Sequence, residues 1–171
     1  MDYALGIPEQ LMAFDESLSY LLEERRIATL TTFDVQGMPH VTAVWFLWQN
    51  GALYLTTNDQ SGKGRNLSRD PRMALCMECR EAGREAGLSA SGRAELLTGE
   101  KASALAGQIN GKYLTPAALN HPVVGTAFSG MSNLVVKLVP ERWISWDMAA
   151  LGDALFPPGS DASGFFYPTL K

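Results

Sequence analysis

Asn50-Gly51 narrows the folds open to this chain more than any other feature. A two-residue Asn-Gly connection favours a type I′ turn, in which both central residues take positive φ, and such a turn joins two antiparallel strands. The flanks agree with it. Val41–Trp48 before the turn and Leu53–Thr57 after it are rich in β-branched and aromatic residues. Ile27–Phe33 is an earlier run of the same kind, and Asp34-Val35-Gln36-Gly37 reads as the turn that ends it. Met73–Cys79, Leu88–Leu97, Leu134–Val139 and Arg142–Trp146 continue the pattern, the last two separated by Pro140. Short runs joined by tight turns predict a small closed barrel, mainly β with flanking helices (α+β), rather than a parallel sheet.

The helices are fewer. Residues 8–25 carry Leu11, Phe14, Leu18, Leu21 and Leu22 at helical spacing, with Pro8 suited to a first turn, and predict a helix packed on the sheet. A short helix starts near Lys63 and must stop before Pro71. A third is expected over Glu100–Ile109, capped by Thr98 or Gly99. Residues 80–87 read as a polar loop and 110–132 as irregular chain. Residues 1–147 are expected to form one domain. Residues 148–171, rich in Gly, Pro, Ala and Ser, are expected to form an irregular tail packed on a surface such as a partner subunit.

Composition removes several classes of function. With 46% hydrophobic residues the chain can bury a core. Fourteen Lys and Arg against 18 Asp and Glu leave a net charge of −4, which disfavours nucleic-acid binding but allows a local cluster to hold one small anion. No apolar run is long enough for a membrane span, and no secretory signal opens the chain, so a cytoplasmic protein is expected. Cys76 and Cys79 have redox or metal spacing. Their odd separation on a strand points them to opposite faces, and no second Cys or His pair accompanies them, so no metal is expected. His40 and His121 stand alone, and no Ser/His/Asp set supports hydrolase chemistry.

The chemically informative stretch is Leu53-Tyr54-Leu55-Thr56-Thr57-Asn58-Asp59-Gln60-Ser61-Gly62-Lys63-Gly64-Arg65-Asn66-Leu67. A strand runs through a loop into a helix N-terminus, whose free N–H groups and partial positive charge favour anions. Lys63 adds a mobile cation and Arg65 a planar fork for phosphate oxygens. Thr57 and Ser61 add hydroxyls, while Gly62 and Gly64 allow close backbone approach. The same residues also fit a solvated helix face, with Lys63, Arg65, Arg69 and Arg72 near Asp59 and Asp70, and the spacing leaves both readings open. The nucleotide P-loop pattern is absent.

The order of these features resembles the pyridoxamine 5′-phosphate oxidase-like split β-barrel (FMN-binding-like) proteins. The matching pieces are Arg26–Leu30, Gly37-Met38-Pro39-His40-Val41, Val44–Trp48, Leu53–Thr57, Ser61–Arg72, Gly92–Leu96 and Val139–Asp147. Within them, Lys63-x-Arg65-Asn66-Leu67-x-x-Asp70-Pro71-Arg72 is the most specific and is most similar to the branch that uses the deazaflavin coenzyme F-420; FMN-binding members look much alike. The resemblance implies a homodimer with cofactors at the subunit interface. Ser61, Lys63 and Arg65 would hold the cofactor phosphate with Thr57 close by, and the ring would lie along Val44, Trp45 and Phe46, met largely by backbone groups. It implies hydride transfer to a small unsaturated or aromatic substrate, with no catalytic acid identified, or else non-catalytic carriage of FMN, deazaflavin or haem. Lys112 and Tyr113 fall in a region that would cover the cofactor. Two positions depart from the FMN-using oxidases: Val41-Thr42-Ala43 lacks their arginine, and Gly87 or Leu88 stands for their glutamine. Residues 140–171 also lack the Arg/His segment of true pyridoxamine phosphate oxidases, so that activity is not implied.

Overall fold

The computed structural model describes residues 14–81, 85–130 and 132–148. Its eight strands are β1 (Ala28–Phe33), β2 (Pro39–Val44), β3 (Leu47–Gln49), β4 (Ala52–Thr57), β5 (Arg72–Cys79), β6 (Ala86–Leu97), β7 (Leu134–Leu138) and β8 (Arg142–Asp147). The helices are α1 (Tyr20–Glu23), α2 (Gly62–Arg69), α3 (Gly99–Tyr113), α4 (Pro116–Asn120) and α5 (Val124–Gly130). Strands pair antiparallel in the order β2-β1-β5-β6-β7-β4-β3, with β8 also on β6. The path begins and ends on β2 and β3, which follow one another in the chain yet do not pair. The sheet curls into a half-barrel, mainly β with flanking helices as the resemblance implies, and does not close fully as the strand pattern predicts.

Side-chain alternation builds two cores. Leu53 and Leu55 of β4 face the barrel interior with Leu30, Phe46, Leu75, Met77, Leu88 and Leu138, while Ala52 and Tyr54 face α3 through Leu105 and Ile109. Burial on both faces explains why β4 lacks the polar alternation of an exposed strand. Each fully buried Leu in such a core is worth about 1.5–3 kcal/mol. The Asn50-Gly51 hairpin has the expected geometry, with φ of 51° and 72°, and it fixes the register of Gln49 opposite Ala52.

The structure corrects several expectations. The single strand over Val41–Trp48 is two, broken at Trp45-Phe46. The Tyr113 hydroxyl accepts from the Phe46 N–H at 3.2 Å and also lies 3.2 Å from the Phe46 carbonyl, occupying the groups that a strand neighbour would use. The helix over residues 8–25 is, in its described part, a 3₁₀ turn at Glu16–Leu18 followed by one α turn; residues 8–13 lie outside the described residues. Leu18, Leu21 and Leu22 are buried as expected. Residues 110–132 are largely helical: α3 runs on to Tyr113, and Thr115 caps α4 by accepting from the Ala118 N–H at 3.2 Å, with Pro116 in the first turn. β6 begins at Ala86, inside the expected polar loop. Of the expected tail only Met148 is described. No described helix is long and apolar enough to cross a membrane.

Candidate functional site

A cleft of about 240 Å³ opens where β2 breaks, lined by Ile27, Ala43, Val44, Trp45, Thr56, Lys63 and Phe128. Its wall follows from the break. With Phe46 turned into the core and fully buried, its neighbour Trp45 stacks nearly parallel to Tyr113 (centroids 4.9 Å apart, 1°) and to Phe128 (5.4 Å, 11°). Tyr113 is itself fixed, since its hydroxyl lies 2.6 Å from the Arg26 carbonyl that accepts its proton. Burial pushes the Tyr113 phenol up, opposed by its bond to Phe46. Neighbouring Lys112 donates to the Leu22 carbonyl at 3.1 Å and lies over the Phe46 ring at 4.4 Å. Burial pushes its ammonium down, opposed by the charge of Glu23. Lys112 and Tyr113 thus fasten the end of α3 to the barrel.

The opposite side of the cleft is the start of α2. Ser61 is its N-cap, with its Oγ accepting from the Gly64 N–H at 3.0 Å and donating to the Asn58 carbonyl at 2.8 Å, 2.8 Å from the Thr57 Oγ1. The N–H groups of Gly62 and Lys63 have no partner among the described residues. The body of α2 is anchored on β1: buried Asn66 donates to Thr32 Oγ1 at 3.1 Å, and Arg69 donates to the Phe33 carbonyl at 2.7 Å. His40 packs against Gly62, with its Nδ1 3.5 Å from Thr32 Oγ1.

The sequence-predicted residues therefore separate. Val44, Trp45 and Lys63 line the cleft. Lys63 makes no ion pair or hydrogen bond with a described residue, and among the described lining residues it alone is charged. Arg65 does not line it; its guanidinium donates to the Gln60 carbonyl of its own loop. Thr57 is buried, and by strand parity Thr56 takes the lining position. Phe46 offers neither side chain nor free backbone to the cleft. Gly64 serves the loop rather than a ligand, because a Cβ there would stand 2.1 Å from the Asn58 carbonyl oxygen. Ile27, Ala43, Thr56 and Phe128 were not foreseen; the exposure of Ile27 (63%) is unusual for its type, and Phe128 carried no local signal.

Other candidates resolve without chemistry. Cys76 is half-buried and Cys79 buried, and both are free. No group of three or more metal-ligating side chains occurs among the described residues. His121 Nδ1 accepts from the Val123 and Val124 N–H groups, each at 3.3 Å, and so caps α5.

Residues 14–147 match the family model described as pyridoxamine 5′-phosphate oxidase. Among solved structures, a conserved hypothetical protein from Mycobacterium tuberculosis is 27% identical with a TM-score of 0.69, over 89% of this chain and 94% of that one. An F-420 reductase is 24% identical with a TM-score of 0.62, over 76% and 98%. A heme binding protein from Mycobacterium smegmatis is 23% identical with a TM-score of 0.58, over 77% and 52%. The last two establish likeness of fold alone. No curated protein matches the chain.

Proposed function

The chain belongs to the pyridoxamine 5′-phosphate oxidase family, and from that premise we propose that its cleft binds deazaflavin coenzyme F-420, or FMN, for hydride transfer to a small unsaturated or aromatic molecule. The observation that carries the reading is Lys63, an ammonium without a described partner at the mouth of α2, facing an aromatic and aliphatic wall. Such a pairing suits a flat ring with an anionic tail.

Each feature of the cleft takes a part in this reading. Lys63 and the N–H groups of Gly62 and Lys63 hold the phosphate, and the helix dipole adds to their field. Ala43, Val44 and Trp45 orient the ring and exclude water. When bound, the cofactor supplies the hydride, and the protein supplies position. Among the described lining residues there is no carboxylate or histidine, and in this reading water or the substrate supplies the accompanying proton. The neutral Val41-Thr42-Ala43 stretch, with Ala43 in the cleft where the FMN-using oxidases carry arginine nearby, favours the deazaflavin.

The same family likeness carries the proposal of a homodimer. The outer face of β2, β1, β5, β6 and β8 presents Val41, Ala43, Ile144 and Trp146 exposed, beside the half-buried Cys76 and Ser89. Sedimentation at micromolar concentration checks it, with two chains per particle expected. Haem is disfavoured at His121: an Nδ1 that accepts two N–H bonds leaves the proton of the neutral ring on Nε2, the nitrogen a metal would need.

Titration with F-420, FMN and haem tests the reading. Lys63→Ala should weaken the preferred flavin-type cofactor about 10–100-fold, the range for losing a hydrogen bond to a charged group. Arg65→Ala should weaken it much less, because its guanidinium is already engaged. Equal binding by wild type and Lys63→Ala would refute the site. Reduced cofactor mixed with quinones, enones and nitroaromatics should oxidise faster with protein present; an unchanged rate makes the protein a carrier.

A further inference from the structure

We propose that Phe128 latches a helical gate, α4–α5, over the cleft, and that a ring-bearing ligand enters only when the Phe128–Trp45 stack opens. This rests on the reading above for the identity of the ligand but not for the existence of the latch.

Three observations carry it. First, the cleft in this state is small. At about 240 Å³ it falls below the roughly 300–1,000 Å³ of sites that enclose ligands of that size. Widening it takes movement of its lining, and most of the lining is held. Ala43 and Val44 belong to β2 and Thr56 to β4, both paired in the sheet, and Lys63 belongs to α2, anchored on β1 by Asn66 and Arg69.

Second, Trp45 is held from the other side. Its partner Tyr113 is tied through its hydroxyl to both Arg26 and Phe46, so the indole stays with the barrel when the Phe128 side of the stack opens.

Third, the segment bearing Phe128 is lightly fastened. Among the described residues of Pro116–Gly130, Gly125 alone is buried, and it packs against the Leu119 carbonyl within the same helical hairpin. Val123 is 70% exposed and Leu119 38%. Among the described residues, the hydrogen bonds of this segment stay inside it or reach Thr115, and none goes to a strand. Phe128, stacked on Trp45, is thus the ring that ties α5 to the cleft wall. Few buried contacts and no cross-ties to the sheet mark a unit that opens locally at low cost.

A latch of this kind lowers apparent affinity by the fraction of molecules that stand open. Removing the ring should therefore help binding, the opposite of what a residue that only covers the ligand would show. Phe128→Ala should tighten F-420 or FMN binding about two- to tenfold, the equivalent of one aromatic stack, chiefly through a faster on-rate. Phe128→Leu, which keeps the apolar bulk without the parallel rings, should fall between. Weaker or unchanged binding in Phe128→Ala with wild type binding normally would overturn the gate. Hydrogen exchange on the ligand-free protein tests the latch separately: amides of Val124–Gly130 should exchange about two- to tenfold faster in Phe128→Ala while those of β4 and β7 do not change. Unchanged α5 exchange would overturn the latch whether or not a cofactor binds, whereas failure of wild type to bind either cofactor, with faster α5 exchange in the variant, would refute only the proposed ligand.

Discussion

Tyr113→Phe isolates one hydroxyl on which both the fold and the cleft depend. The phenol oxygen accepts from the Phe46 N–H at 3.2 Å and lies 2.6 Å from the Arg26 carbonyl and 3.2 Å from the Phe46 carbonyl. It has one proton to give, and the shorter contact identifies Arg26 as the main acceptor. The substitution keeps the ring and hence its parallel stack on Trp45. It leaves one donor and one acceptor without their partner in a half-buried corner. An unsatisfied buried group costs about 1–3 kcal/mol; partial exposure lets water recover some of it, so a loss of about 2 kcal/mol is expected for the pair. For a chain of this size each kcal/mol lowers the melting temperature by roughly 2–4 °C, giving a drop of about 4–8 °C. Urea unfolding followed by far-ultraviolet circular dichroism measures it, with the midpoint shifted and the slope unchanged. Tyr113→Ala should cost at least a further 0.5–1.5 kcal/mol or so from the lost stack. Stability of Tyr113→Phe within about 0.5 kcal/mol of wild type, the range of an ordinary surface change, would refute the role given to the hydroxyl in holding the strand break.

The remaining predictions concern the loop and the acid range. Gly64→Ala should destabilise by several kcal/mol, at the far end of point-mutant effects, because its Cβ would meet the Asn58 carbonyl oxygen at 2.1 Å and that backbone cannot step aside. Gly87→Ala also meets a close neighbour, Trp146 Nε1 at 2.3 Å. That indole is 37% exposed and can swing outward, so thermal melting should show the smaller loss here. Arg72, through its side chain first and its backbone N–H next, holds the Asp70 carboxyl down at about 2 from an ordinary 3.8. A depressed carboxyl stabilises fully above its unfolded value and loses that contribution as pH falls from near 3.8 towards 2. Asp70→Asn should therefore be less stable than wild type at pH 6, and the two melting curves should converge near pH 2; a constant gap would contradict the assignment.

What could be read before the structure was whatever local chemistry decides. Asn50-Gly51 set a turn between antiparallel strands, a short helix began near Lys63 and stopped before Pro71, and Leu18, Leu21 and Leu22 found the core. The β2–β3 break could not be read, because Val41–Trp48 is an unbroken strand-forming run and the group that interrupts it sits 67 residues further on in Tyr113. The α4 helix did leave a trace, with Thr115 and Pro116 in cap and first-turn positions, but its short length and exposed residues gave no apolar periodicity to go with it. Lys63 and Arg65 looked equivalent in sequence, since both are cations beside glycines. Only the path of α2 over β1 separates the one that meets the cleft from the one that turns back to its loop.

These failures share a cause that bears on function. A strand that ran straight from Val41 to Trp48 would bury or pair the backbone at Trp45 and leave no recess beside it. The recess exists because α3, reaching back from the far side of the barrel, uses a tyrosine hydroxyl to hold Phe46 out of the ladder and a tyrosine ring to set the plane of Trp45. The cationic corner belongs to the strand–loop–helix of β4 and α2, which local sequence specifies. The aromatic wall belongs to contacts among β2, α3 and α5, which it does not. Substitutions in the first should shift affinity for the charged tail whatever ring it bears. Substitutions at Tyr113 or Phe128 should change discrimination between rings of different size while leaving the tail's contribution in place.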